Sequence, residues 1–256
     1  MNTTIQSQDG SQHDAGPMIM AYAIGAYFIG VAGLGAIILA MADLLPLGHV
    51  LVFTESTAGA ISINILLLLA FALQHSIMAR PAYKAWSARY LPQSMDRANF
   101  VLASGAASLL LVAGWQPLDS RIWVSEGLSQ FALWGLFGFG WAYLLAATFA
   151  INHFDLFGLR QAWFALHGEE YQPVPFKENW MYRYSRHPIM LGALIGIWCL
   201  PAMNGSQLML AIGMSVYIAI GLYFEERDLV RQWGQHYEAY RQRVGALWTF
   251  RRHRAE

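Results

Sequence analysis

Apolar residues run along the chain in six blocks, roughly 18–42, 58–78, 98–115, 129–151, 188–203 and 206–224, separated by polar connections. Blocks of that length and hydropathy predict membrane-spanning helices. The last two are the shortest and are joined by "MNGSQ" (203–207), a Gly-containing turn. As helices they rise about 24 Å and descend about 28 Å, at about 1.5 Å per residue. Such a hairpin returns Glu225 and Glu226 to nearly the depth of His187, although almost forty residues separate them. The pattern therefore predicts an all-α, polytopic helical bundle of about six spans with a C-terminal helical hairpin. It divides into a polar tail (1–16), expected to be disordered and cytoplasmic, a membrane domain (17–245) and a basic C-terminal tail (246–256). Residues 1–16 carry no Lys or Arg, so the charged start of a cleavable signal peptide is missing.

Composition agrees with a bilayer as solvent: 56% of the 256 residues are hydrophobic and 12% charged, about half the charged share of soluble domains. The formal net charge of zero hides a segregation. Arg80, Lys84, Arg89 and Arg97 fall in the 79–97 loop, and Arg160, Lys177, Arg183 and Arg186 between residues 152 and 187. Seven more cations follow the last span, and only Arg121 lies in a loop of the other parity. The positive-inside rule then puts both termini and the two basic loops in the cytoplasm. The expected location is a bacterial inner membrane, with no nucleic-acid partner. The single cysteine, Cys199, excludes an internal disulfide and a Cys-based zinc site, and the eight histidines form no H-E-x-x-H or H-x₃-H pair, so no metal is expected. "GLGAIILA" (33–40) reads as close helix packing, and "NGS" (204–206) is a weak glycosylation signal in a tight turn.

Three groups could carry chemistry. "YRYSRHPIMLGALIGIW" (182–198) sets aromatic and basic residues at the mouth of an apolar helix. Pro188 suits a first helical position, and the free N–H groups with nearby Arg183, Arg186 and His187 suit a carboxylate or phosphate. An interfacial anchor of Tyr and Arg is the competing reading. Across the hairpin, "FEERDLVRQWGQHYEAYRQRV" (224–244) lines Leu229, Trp233, Tyr237, Tyr240 and Val244 on one helical face. Alone it reads as a helix resting on lipid; Glu225 and Glu226 at the membrane border are costly without partners and suggest a site. Third, "QHSIMAR" ends the second span with Gln74, His75, Ser76 and Arg80, and "INHFDLFGLRQ" ends the fourth with Asn152, His153, Asp155 and Arg160.

"RHPIMLG" (186–192), then "EERDL" (225–229), then "GQHYEAY" (234–240) resemble the isoprenylcysteine carboxyl methyltransferase-like membrane methyltransferases. "QHSIMARPAYKAW" (74–86) and "INHFDLFGLRQAWFAL" (151–166) resemble one branch of them, the methanethiol S-methyltransferases. One position departs: Met190 stands where the superfamily pattern has an aromatic residue. The resemblance implies S-adenosyl-L-methionine as methyl donor, methanethiol as acceptor and dimethyl sulfide as product. It implies that His187 and Arg183 hold the donor's carboxylate, and that Glu225 or Glu226 binds its ribose hydroxyls or ammonium. Tyr184, Tyr237 and Tyr240 would enclose the nucleoside, and Pro188 and Leu191 are further expected cofactor-binding residues. Because a thiol with a pKa of about 8.5 or more is mostly protonated at neutral pH, a base is needed. His153 oriented by Asp155 is the first candidate and His75 the second, with Arg80 or Arg160 stabilising the thiolate. A prenylcysteine or lipid acceptor, an NADPH-dependent membrane reductase and a non-enzymatic channel are the alternatives.

Overall fold

The computed structural model describes residues 5–45, 47, 48 and 50–249. In chain order the helices are α1 (Ile5–Met41), α2 (Thr57–Ala79), α3 (Pro81–Ser87), α4 (Asp96–Gly114), α5 (Gly127–Ile151), α6 (His153–Leu156), α7 (Leu159–Leu166), α8 (Pro188–Trp198), α9 (Gly205–Trp233) and α10 (Gln235–Arg243). Two short strands, β1 (Arg121–Val124) and β2 (Ala202–Asn204), pair antiparallel. Among the described residues, five helical stretches are long and apolar enough to cross a membrane: Ala15–Met41, Thr57–Ala79, Gln93–Gly114, Gly127–Ile151 and Gly205–Trp233. Many of their large apolar side chains point outward, Leu66, Leu128 and Phe131 among them, as lipid-facing positions must.

The fifth expected span departs from its reading. The run 188–203 is apolar throughout, but α8 has only 11 residues, a rise of about 16 Å. Pro201 lacks the N–H that a continuing helix needs, so the chain leaves α8 extended and enters β2. There Asn204 lies opposite Arg121 and Ala202 opposite Val124. The turn after β2 is a capping box: Asn204 Oδ1 accepts from Gln207 N and Gln207 Oε1 from Asn204 N, both at 2.9 Å. The Asn204 side chain of the "NGS" signal is thus spent on the helix start. The tail boundary expected at residue 16 falls inside α1, which begins at Ile5. Of the expected C-terminal tail, Ala246 and Thr249 contact the α8 mouth (below); residues 250–256 lie outside the described residues.

Glycine permits the close helix pairs. A Cβ at Gly33 would lie 2.5 Å from Gly105 O, which binds α1 to α4; one at Gly192 would lie 2.6 Å from Gly140 O, which binds α8 to α5. A buried amide exchange ties α2 to the end of α4: Asn64 Nδ2 donates to Gln116 O at 2.9 Å, and Gln116 N to Asn64 Oδ1 at 2.7 Å. Asn64→Leu leaves both Gln116 backbone groups unpaired where water does not reach. We expect a loss of about 2–3 kcal/mol, read as a lower melting temperature in detergent; unchanged melting would show that the exchange contributes nothing to stability.

Candidate active site

The mouth of α8 is built by its own backbone and by the chain's last described residues. Arg186 N donates to Gly245 O and His187 N to Ala246 O, each at 3.0 Å, and Ser185 Oγ donates to Ala246 O. Pro188 occupies the first helical position, buried, and His187 caps the helix with its backbone alone. Its ring is therefore free to turn toward α9, where the hairpin has returned the two acids as the sequence predicts. His187 Nε2 lies 3.1 Å from Glu226 Oε1, and Nδ1 lies 3.5 Å from Glu225 Oε2. Burial alone would lower the His187 pKa, but the two carboxylates outweigh it and hold the imidazolium form above its ordinary range.

The two acids differ in what else they touch. Glu226 Oε1 also receives Arg186 Nε and Nη2, both at 2.6 Å, and the Tyr237 hydroxyl at 3.4 Å; Arg241 Nε stands 3.4 Å from Oε2. Arg186 further donates to Arg241 O and Val244 O. Glu226 is thus the centre of a clamp joining α8, α9 and α10. Glu225, 45% exposed in its side chain, has His187 as its one ion-pair partner, and its Oε1 has none among the described residues. Arg183, the expected cation, lies exposed at the end of a short 3₁₀ turn (Trp180–Arg183), and Arg186 takes the inward role instead.

The amphipathic face keeps together but does not lie flat on lipid. Gly234, at φ +55°, ends α9 and redirects the chain. Tyr237, Tyr240 and Val244 then fold against Phe176, Leu229, Val230 and Trp233. Tyr240 is 2% exposed and its hydroxyl donates to Tyr182 O at 2.6 Å, so it pins the loop before α8. Burial pushes the pKa of both Tyr237 and Tyr240 upward, keeping them neutral donors. Tyr184 is half-exposed beside the mouth, and its carbonyl accepts from Thr249 Oγ1. Leu191 N closes the first turn of α8 onto His187 O.

The second cluster is arranged differently from its sequence reading. His153 is 3% exposed and stacks on Phe149 with centroids 4.2 Å apart. Thr148 Oγ1 donates to Leu145 O, so it accepts from His153 Nδ1 at 2.8 Å, which leaves Nε2 to accept from the Tyr27 hydroxyl at 3.1 Å. Both ring nitrogens are occupied. Asp155 makes no contact with that ring: its Oδ1 meets Arg160 Nη1 at 3.1 Å and the Tyr171 hydroxyl at 2.7 Å. The physical reason is that side chains two apart diverge even where α5 has ended at Ile151. Arg80 is likewise committed, 2.8 Å from Asp228 Oδ2.

His75 is the opposite case. Its ring is held by Phe71 (5.6 Å between centroids), Phe100 (4.7 Å) and Tyr217 (6.0 Å), while Nδ1 is buried without a partner among the described residues. Arg97 packs on the same Phe100 ring, its guanidinium carbon 5.0 Å from the ring centroid. Arg97, Asp155, Gln161 and Tyr171 line a cavity of about 1370 Å³. Sequence reading missed Arg97, counting it only as a loop charge; its place in the first turn of α4, level with the other polar span ends, was the available signal.

Comparison with known proteins gives a consistent result. A family model described as NnrU protein matches residues 63–251, a stretch that takes in both clusters. A methanethiol S-methyltransferase of Mycobacterium tuberculosis is 44% identical over 189 residues, covering 73% of this chain and 78% of that one. Methanethiol S-methyltransferase 2 of Bradyrhizobium diazoefficiens is 44% identical over 188 residues, 73% of each chain. Nurim of Rattus norvegicus is 25% identical over 186 residues, 68% of this chain and 70% of its own. No solved structure matches.

Proposed function

Because the chain belongs to the NnrU family and, within it, to the methanethiol S-methyltransferases, we propose that it methylates methanethiol to dimethyl sulfide with S-adenosyl-L-methionine, working from the cytoplasmic side of a bacterial inner membrane. The observation that carries the donor assignment is His187 held between Glu225 and Glu226 at the start of α8. The donor is a zwitterion with a nucleoside, and the residues fit it. The helix start suits a carboxylate with His187 held beside it by the two acids, while the unpartnered Oε1 of Glu225 suits an ammonium or a pair of hydroxyls. This divides the roles that the sequence leaves open: Glu225 meets the ligand, and Glu226 with Arg186 and Tyr237 holds the hairpin shut behind it. Tyr184, exposed at the mouth, would cover the nucleoside, together with Leu191.

When bound, S-adenosylmethionine supplies an electrophilic methyl group on a sulfonium. The protein's own task is to confine a thiol that offers few contacts and to remove its proton. His75 is the base this geometry favours, because its nitrogens are uncommitted and its ring cannot rotate away from the three aromatic neighbours. The basic 79–97 and 152–187 segments on the same end of the bundle support the cytoplasmic orientation.

The test is direct. Purified protein given methanethiol and S-adenosylmethionine should release dimethyl sulfide into the headspace, and the donor rather than NADPH should raise its melting temperature. Stabilisation by NADPH alone, or methylation of a prenylcysteine or lipid with no dimethyl sulfide, would overturn the reading.

A further inference from the structure

We infer that Arg97 is the anion seat of the acceptor site, holding the methanethiolate sulfur beside His75. The inference rests on the methyl-transfer reading and adds a residue to it. Two features fix the guanidinium without satisfying it. Its Nε donates to Leu156 O at 2.6 Å, and its plane lies over Phe100, the ring that also packs on His75. Its two amino groups have no hydrogen-bond or ion-pair partner among the described residues, although the side chain lines the large cavity. These amino groups are not sealed from solvent, so an incoming anion can reach them without displacing a protein partner. Arg80 and Arg160 show the ordinary case, each closed by a carboxylate.

The backbone gives Arg97 its position. Gly158 has φ +87°, and a Cβ there would lie 2.6 Å from Ala98 N, so the turn between α6 and α7 presses against the start of α4. That contact brings Leu156 O to Nε. The charged and titratable groups around the guanidinium are Asp96 on its own helix, Asp155 and Tyr171 on the facing segment, His75 on α2 and Glu225 on α9. Asp155 is already spent on Arg160 and Tyr171, Glu225 makes its ion pair with His187, and none of these groups pairs with Arg97 among the described residues.

The chemistry balances around this pair. The thiol S–H bond breaks, its proton passing to a His75 nitrogen and its electron pair remaining on sulfur, opposite the Arg97 amino groups. That sulfur forms the new C–S bond to the sulfonium methyl. The old C–S bond breaks with its electrons returning to the donor sulfur, and His75 then gives its proton up to water to complete the cycle. A fixed cation lowers the cost of ionising the thiol before transfer and needs no rearrangement during it.

Arg97→Met and Arg97→Lys, assayed beside the wild type, test this. Arg97→Met should bind S-adenosylhomocysteine within about twofold of the wild type, as measured by calorimetry. Its kcat/KM for methanethiol at pH 7 should fall by about 10²-fold, and the deficit should shrink at least tenfold by pH 9.5, where more thiol is already ionised. Arg97→Lys should recover part of the loss. In the unmodified protein, azide, a small anion, should compete with methanethiol and not with the donor, a result that needs no variant to fold. A pH-independent deficit that Lys does not relieve, or azide that fails to compete with methanethiol, overturns the inference while leaving the methyltransferase reading intact. A wild-type protein that methylates no small thiol overturns both.

Discussion

His75→Ala is expected to give a folded protein that still binds S-adenosylmethionine but turns methanethiol over about 10²–10⁴-fold more slowly. The ring donates to nothing and accepts from nothing among the described residues, so its removal breaks no hydrogen bond and leaves an apolar gap among Phe71, Phe100 and Tyr217. The chemical loss should be partly restored as pH rises, because the acceptor then ionises without help. His153→Ala is the contrasting variant. There the deletion strips Tyr27 and Thr148 of a shared partner and leaves a void under Phe149 and Phe157, so melting should drop by several degrees with turnover per folded molecule little changed. Burial holds the His153 pKa below its ordinary value of about 6.5. The unfolded chain then binds the proton more readily, so stability contributed by the neutral ring is present above about pH 6.5 and erodes as pH falls toward the folded value. If pH rescue follows His153→Ala and not His75→Ala, the base assignment returns to the fourth span.

What could be read from the sequence was set by local periodicity and by arithmetic along the hairpin. Counting residues up α8 and down α9 brought Glu225 and Glu226 to His187, and the distances of 3.5 and 3.1 Å agree. The count survived even though α8 is far shorter than its apolar run. The extended residues after Trp198 rise more per residue than a helix and make up the height. Pro201 was the visible stop signal in that run. Gly234 was likewise visible inside the amphipathic pattern, and it converts a surface helix into one folded back on Phe176. Other features had no local signal. Whether Arg183 or Arg186 faces inward depends on a 3₁₀ turn in which Trp180 takes φ +50°. The fate of Arg97 depends on Leu156 O, a backbone atom 59 positions away. The quenching of His153 depends on Tyr27, 126 positions away on α1.

Glu226→Gln should be the most damaging single change to stability in the site, while Glu225→Gln should damage binding and leave stability nearly intact. Glu226 and Arg186 are 16% and 10% exposed in their side chains and share one oxygen at 2.6 Å. Removing the carboxylate charge leaves a buried guanidinium uncompensated, a loss of about 3–5 kcal/mol for a pair of this kind. Replacing both residues, Arg186→Gln with Glu226→Gln, should therefore cost less than the sum of the single changes. The pH dependence carries a second signature. Because the folded pKa of His187 is raised, its ion pairs stabilise the protein fully below the unfolded value of about 6.5, and that contribution is lost as pH climbs through the folded value. With Glu226→Gln one of the two carboxylates that raise the folded pKa is gone, so the alkaline decline should be smaller and end at lower pH. Glu225→Gln leaves the Arg186–Glu226–Tyr237 clamp untouched and removes the one acid with an open oxygen, so melting should shift little while donor affinity falls at least tenfold. Equal destabilisation by the two glutamine variants, or donor affinity that survives Glu225→Gln, would show that the division between a clamp and a ligand-facing acid is wrong.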